Sequence, residues 1–349
     1  MSRFFSEKYR TLKAYTPGEQ PQERKYIKLN TNENPFPPGE WVAEAVREET
    51  ANLRLYSDPE SGKLRKVLSE RLGLKPENLI MTNGSDEGLN YAFMAFCDEN
   101  HPAVFPDITY GFYPVFARIN GVPFREIPLR ADWTVSPEDY ADAGGPVFLA
   151  NPNAPTGIFL PLEGIEMILQ ENPNNVVIVD EAYVDFGGES ALKLLGKYEN
   201  LLVIQTFSKS RSLAGLRLGF AAGSEALIRD LKAMQYSTNP YNVDRLAQTA
   251  GIACLERDEY NLRNAEKIGK TRAWVKTEME KLGFQITDSR ANFLFVHHPA
   301  FPGSTLRDRL RERGILIRWF DQERIRDWNR ISIGTRADME TLLAELSAL

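Results

Sequence analysis

Cysteine and histidine are scarce in this 349-residue chain: two of the first, Cys97 and Cys254, and three of the second. Two cysteines in unlike contexts make neither a disulfide framework nor a CxxC metal motif. His297 and His298 are adjacent in the strand-like stretch "NFLFVHH". Neighbours on a strand point to opposite faces and do not chelate one ion together. With His101 as the remaining histidine, no metal is expected. No apolar run reaches the roughly 18 residues of a membrane span. The N-terminus, "MSRFFSEKYRTLKAY", lacks the apolar stretch of a signal peptide. An excess of positive charge is missing too: 42 Lys and Arg stand against 48 Asp and Glu, a net −6. Such a chain has no general pull toward nucleic acid or anionic membrane, so any anion site is local. The expected setting is the reducing cytoplasm, with small-molecule partners, no nucleic acid and no membrane.

What is present is ordinary globular material, 42% hydrophobic and 26% charged. Short continuous apolar runs recur at 79–82, 102–105, 147–150, 176–179 and 201–205. Separated by helical or loop stretches, such runs predict parallel strands covered on both faces, an α/β architecture. Beyond about residue 225 the pattern changes. Residues 244–282 are helix-rich, with a long amphipathic stretch closed by Gly283, and "FQITDSRANFLFV", "GILIRW" and "NRISIGT" read as strands. The expectation is an N-terminal arm over 1–30 packing with the small domain, a large domain with a mostly parallel sheet over 31–240, and a smaller α+β domain over 241–349.

Each buried run ends in polar residues. "NPNAPTG" follows 147–150, "DEAYVDF" follows 176–179, and "TFSKS" follows 201–205. In open parallel sheets ligands bind outside the carboxyl ends of the strands. Asn153, Asp180 and Lys209 therefore face one crevice. Taken singly, each has a plain reading: Asp180 as a helix cap or structural ion pair, Lys209 as a solvated turn. A buried carboxylate needs a cation or donors to meet it. A lysine amine that loses its proton can condense with a carbonyl. Thr206, Ser208 and Arg217 suit a phosphate, with the planar fork of arginine matched to its oxygens. Gly84, Ser85 and Asp86 in "NGSDEG" open a helix whose free N–H groups make a second anion cradle, or serve as simple caps. An aldehyde for Lys209, a protonated ring nitrogen for Asp180 and a phosphate for Arg217 describe pyridoxal 5'-phosphate.

These residues also carry a resemblance. "LNTNENP" (29–35), "RLYSDP" (54–59), "NGSDEG" (83–88), "ITYGFY" (108–113), "NPNAPTG" (151–157), "VIVDEAYVDF" (177–186), "TFSKSRSLAGLRLGF" (206–220), "NFLFV" (292–296), "GILIR" and "RISIGT" occur in family order. Together the chain resembles the histidinol-phosphate aminotransferase family, pyridoxal-phosphate enzymes of fold type I. The resemblance implies that Lys209 holds the cofactor and carries protons. It implies that Asp180 meets the ring nitrogen and that Tyr183 donates to the phenolic oxygen. Tyr110 is implied to stack on the ring; core packing is its plain alternative. Ser85, Asp86, Ser208 and Arg217 resemble the phosphate loop. Tyr56 resembles a tyrosine that reaches the phosphate of a second subunit, so a homodimer is implied. The family's second asparagine before "PTG" is Ala154 here, which leaves Asn153 or Tyr183 alone for the phenolic oxygen.

For substrates, the resemblance points to Arg330, with Arg318 helping to meet a phosphate dianion; solvated strand arginines are the plain alternative. Tyr15 and Asn292 resemble further residues near the pocket. The implied reaction takes L-histidinol phosphate and 2-oxoglutarate to imidazole acetol phosphate and L-glutamate. Aromatic amino acid aminotransferases and threonine-phosphate decarboxylases share the scaffold. A non-catalytic aminotransferase-like binding module is the remaining class; the short stretch before "LNTNENP" and the retained lysine argue against it.

Overall fold

A strand that is apolar at every position must be covered on both sides, and the five short runs are. The computed structural model describes residues 2–10 and 12–349. Along the chain come β1 (Ile27–Leu29), α1 (Glu40–Glu49), α2 (Gly62–Leu72), β2 (Leu79–Asn83), α3 (Gly84–Phe96), β3 (Ala103–Pro106), α4 (Tyr113–Asn120), β4 (Phe124–Ile127), β5 (Val147–Ala150), α5 (Leu162–Glu171), β6 (Val177–Asp180), β7 (Leu201–Thr206) and β8 (Leu218–Gly223). Then follow α6 (Glu225–Thr238), α7 (Arg245–Glu256), α8 (Glu259–Lys281), β9 (Gln285–Ile286), β10 (Phe293–His297), α9 (Gly303–Glu312), β11 (Ile315–Trp319), β12 (Trp328–Ser332) and α10 (Arg336–Ser347). No helix among the described residues is long and apolar enough to cross a membrane.

The first sheet has seven strands in the order β2-β8-β7-β6-β5-β3-β4. The pairs β3–β4, β3–β5, β5–β6 and β6–β7 are parallel. Alternation sends Phe148, Ile178 and Leu202 to one face, against Leu89 and Phe93 of α3. Val177, Val179 and Val203 go to the other, against Ile165, Ile168 and Leu169 of α5. Each such burial stabilises by about 1.5–3 kcal/mol, so the strand ends, and the polar residues on them, are held in place.

One strand escapes the reading of continuous apolar runs. β8 pairs antiparallel with both β7 and β2, and it carries Gly219 and Gly223, residues that weaken a strand pattern. Gly219 is required by contact: a Cβ there would lie 2.6 Å from the carbonyl carbon of Gly84 and 2.8 Å from the nitrogen of Ser85. The start of α3 thus rests directly on β8.

The second sheet is smaller, in the order β1-β11-β12-β10-β9. Helices α8 and α10 cover it, through Ile268, Val275, Met279, Met339 and Leu342. β1 joins it in parallel with β11, although in sequence it precedes the whole first sheet. Residues 29–35 therefore pass from one sheet to the other. α7 packs on α1 and α2, and the chain crosses to the second sheet with α8.

Candidate active site

The strand ends and the 29–35 crossing enclose a cavity. It is lined by Ser85, Asp86, Tyr110, Asp180, Tyr183, Thr206, Ser208, Lys209 and Arg217 from the first unit, and by Arg318 and Arg330 from the second sheet. Tyr15, Pro17 and Gly18 of the arm, Asn30–Asn32 of the crossing, and Ala150, Ala154 and Ala182 complete it.

At its floor, Asp180 ends β6 and is 5% exposed. Its carboxylate accepts the Ala182 N–H at 3.2 Å and the Tyr113 hydroxyl at 3.3 Å. Burial outweighs these donors and the nearby Lys209, and pushes Asp180 up to about 7. A carboxylate so placed is short of one cation. Lys209 extends from the loop after β7, its Nζ donating to the Thr31 carbonyl at 3.3 Å. Asn34 Nδ2 clamps that loop through the carbonyls of Lys209 and Ser210, at 3.0 and 3.1 Å. Arg211, also buried, ties it to Asp185 and Asp258.

At one end lies an anion cradle. Ser208 N–H donates to Thr206 Oγ1 at 3.1 Å, and Arg217 Nη1 donates to Ser208 Oγ at 3.3 Å. Arg217 Nη2 also meets Asp86 at 3.1 Å, and Tyr110 donates to the other Asp86 oxygen at 2.7 Å. The cradle opens on the first N–H groups of α3, which have no partner within the helix. Gly84 sits at φ +73°, and a Cβ on it would lie 2.6 Å from Arg217 Nη2. Only glycine gives both the backbone turn and room for the guanidinium.

At the other end, Arg318 and Arg330 are direct partners across the antiparallel β11–β12 pair. Like charges so placed repel. Arg330 Nη2 reaches the Asn30 carbonyl at 3.3 Å while its buried Nε finds no partner among the described residues. Burial pulls its guanidinium below the usual arginine value. Arg318 donates to the arm carbonyls of Thr16 and Pro17 at 2.7 and 3.1 Å. Tyr15 stacks on Phe112 at 4.3 Å, which seats the arm over the cavity.

Three of the residues singled out by sequence stand elsewhere. Asn153 spends its amide on its own loop and on the loop after β3, donating to Thr156 Oγ1 and the Ile108 carbonyl and accepting from Thr109. Ala154, not Asn153, presents to the cavity. Asn292 lies behind the wall, donating to the Asn32 carbonyl at 2.9 Å. Tyr56 is 80% exposed, stacks on Tyr241 at 4.6 Å and does not line this chain's own cavity. In turn, Asn32, whose Nδ2 donates to the Tyr183 hydroxyl at 3.0 Å, and Tyr113, which donates to Asp180, carry no role in the sequence reading. "LNTNENP" was a signal for the first; Tyr113 had none beyond a buried aromatic.

A protonated ring nitrogen fits the cation-poor Asp180, a carbonyl fits Lys209, and a phosphate fits the Arg217–α3 cradle, so the residues present suit pyridoxal 5'-phosphate. Residues 24–346 match the aminotransferase class I and II family. A histidinol-phosphate aminotransferase 2 of Dechloromonas aromatica (strain RCB) is 46% identical over 98% of each chain. A histidinol-phosphate aminotransferase of Acetobacter pasteurianus is 47% identical over 99% of this chain and 98% of its own. The solved histidinol-phosphate aminotransferase of Sinorhizobium meliloti, in complex with pyridoxal 5'-phosphate, superposes with a TM-score of 0.86 at 26% identity, over 93% of this chain and 91% of that one. The chain belongs to the class I and II aminotransferases and, within them, to the histidinol-phosphate aminotransferase family.

Proposed function

We propose that this chain is a pyridoxal-phosphate-dependent aminotransferase that moves the amino group of L-histidinol phosphate to 2-oxoglutarate, giving imidazole acetol phosphate and L-glutamate. One observation carries the reading. A single cavity holds an amine, a cation-poor buried carboxylate and an anion cradle at one end, with two opposed arginines at the other. When bound, the cofactor supplies an electron-poor ring that takes up the electron pair released at the substrate's α-carbon. The chain's residues do the rest. Lys209 would hold the cofactor through its carbonyl group and would carry the proton taken from the substrate's α-carbon. Asp180 keeps a proton on the ring nitrogen. Tyr183 faces the phenolic oxygen, and Tyr110 covers the ring. Arg217, Ser208 and the start of α3 hold the phosphate. A coupled assay of purified protein with histidinol phosphate and 2-oxoglutarate tests the reading. Good turnover of phenylalanine or threonine phosphate, with none of histidinol phosphate, would move it to another enzyme on this scaffold.

Arg330 and Arg318 then divide the substrates. Glutamate offers a carboxylate where histidinol phosphate offers a phosphate dianion, and two guanidinium groups suit a dianion better than one. A charge-assisted contact contributes roughly 1.5–3 kcal/mol, and 1.36 kcal/mol is a factor of ten. Arg330→Ala is expected to lower kcat/KM about tenfold to a hundredfold for both substrates. Arg318→Ala is expected to harm histidinol phosphate more than glutamate. Equal damage to both would remove Arg318 from the phosphate site.

We also propose a cytoplasmic homodimer. Tyr56, with the exposed Leu53 and Leu55 beside it, presents apolar surface to solvent in the single chain. In the dimer this Tyr56 reaches the phosphate cradle of the second copy. Mixing inactive Lys209→Ala and Tyr56→Ala proteins should restore activity, because each hybrid dimer holds one intact site. A fully active monomer would end this part of the reading.

A further inference from the structure

Ala154 and Tyr183 both line the cavity, and a methyl group at 154 offers no hydrogen bond, so on the functional reading above Tyr183 is the donor left for the phenolic oxygen. A tyrosine hydroxyl both gives and takes a hydrogen bond. Its value to an anion depends on where its proton points.

The wall behind Tyr183 decides that direction. Asn32 is 1% exposed and sits at φ +56°, a left-handed conformation asparagine tolerates better than most residues. Its Nδ2 donates to the Tyr183 hydroxyl oxygen at 3.0 Å. Its Oδ1 accepts the Ser332 hydroxyl proton at 3.0 Å, and Ser332 Oγ accepts the Asn32 backbone N–H at 2.8 Å. Turning the amide over would set two donors on Ser332 Oγ and leave the serine proton without an acceptor among the described residues. The network thus fixes which end of the amide meets the tyrosine. Tyr183 accepts a hydrogen bond from Asn32 and must direct its own proton into the cavity it lines.

We propose that Asn32 is a positioning residue that makes Tyr183 a dedicated donor to the cofactor's phenolic oxygen, and so replaces the amide absent at position 154. The inference rests on the functional reading above. It also links the two units, because Ser332 lies on β12 two residues from Arg330, while Tyr183 follows β6. The ionisable groups facing Tyr183 are Lys209, whose Nζ lies 5.7 Å from the ring centre, with Arg330 and Tyr110 nearby. All three are retained in the variants below.

The test uses cofactor-loaded protein and reads the pH midpoint at which the bound cofactor's visible absorption changes, with cofactor Kd by dialysis as a second readout. A donor on the phenolic oxygen draws charge from it. Without the donor, the oxygen holds the neighbouring proton more tightly and the midpoint rises. Tyr183→Phe is expected to raise it by about one to two pH units, the scale of one charge-assisted hydrogen bond. Asn32→Asp keeps size and backbone tolerance but turns the tyrosine proton back toward the wall; its rise should be at least as large. Ser332→Ala, a milder change that keeps the question open to test if the aspartate variant fails to fold, should give a smaller rise of the same sign. Asn32→Ala should add nothing once Tyr183 is phenylalanine. Unmoved midpoints in Asn32→Asp and Ser332→Ala, or an Asn32→Ala shift undiminished in the Tyr183→Phe background, would overturn the proposal. An unmutated protein with no lysine-dependent visible band would instead overturn the parent reading, and this inference with it.

Discussion

Lys209→Ala is expected to abolish transamination while leaving the cofactor-free fold intact. Among the described residues the side chain makes one hydrogen bond, to the Thr31 carbonyl, so its removal unpairs little. What positions the loop is elsewhere: Asn34 on the Lys209 and Ser210 carbonyls, and Arg211 on Asp185 and Asp258. The melting temperature should therefore stay near that of the unmutated protein. Activity should not. A positioned proton carrier contributes roughly 10²–10⁴, and the same amine also anchors the cofactor, so a combined loss of about four orders or more follows. Borohydride reduction of the loaded, unmutated protein should fix the cofactor to the peptide containing Lys209. Label on any other lysine, or turnover within tenfold of normal in the alanine variant, would sink the assignment.

Much of this site was legible because of where the polar residues fall. A four-residue apolar strand that ends in Asp180, beside another that ends in Thr206 and leads to Lys209, places both groups at the carboxyl edge whatever the rest of the fold does. The two sheets were legible for a similar reason, since alternating strands and helices give way to an α+β pattern after the first unit. β8 was hidden because contact with the start of α3 demands glycine at 219, and glycine dilutes a strand pattern. Asn153 looked available because it follows a buried strand, yet an amide has four hydrogen-bonding sites, and Thr156 of its own loop with Ile108 and Thr109 of the loop after β3 consume three. Asn32 was marked by its motif, but its role was hidden because its partners lie some 150 and 300 positions away in sequence. No local spacing encodes such a pairing. The arm over the cavity is held by backbone carbonyls that Arg318 reads, and carbonyls leave no mark in a sequence.

Asp180→Asn is expected to move the loaded and the cofactor-free protein in opposite directions. In the cofactor-free protein, burial lifts Asp180 from an ordinary carboxylate value of 3.8 to about 7. The folded chain then keeps a proton that the unfolded chain has lost between about pH 4 and pH 7, so this group's contribution to stability falls as pH rises through that window and levels off above it. Asparagine does not titrate. The melting temperature of the cofactor-free variant, minus that of the unmutated protein, should therefore grow from pH 4 to pH 7 and then stay level. A difference that is flat with pH would mean that Asp180 is not the strained group. With the cofactor bound, the ring nitrogen supplies the cation that the carboxylate lacks. Removing one partner of a buried pair costs about 3–5 kcal/mol, and each 1.36 kcal/mol is a factor of ten. Proton abstraction should slow by roughly two to four orders, with weaker cofactor retention. A residue that served only the fold would shift both forms the same way. Stabilisation of the cofactor-free protein at pH 8, joined to a large loss of turnover in the loaded one, is the signature of a carboxylate kept under strain for a cation the chain does not itself provide.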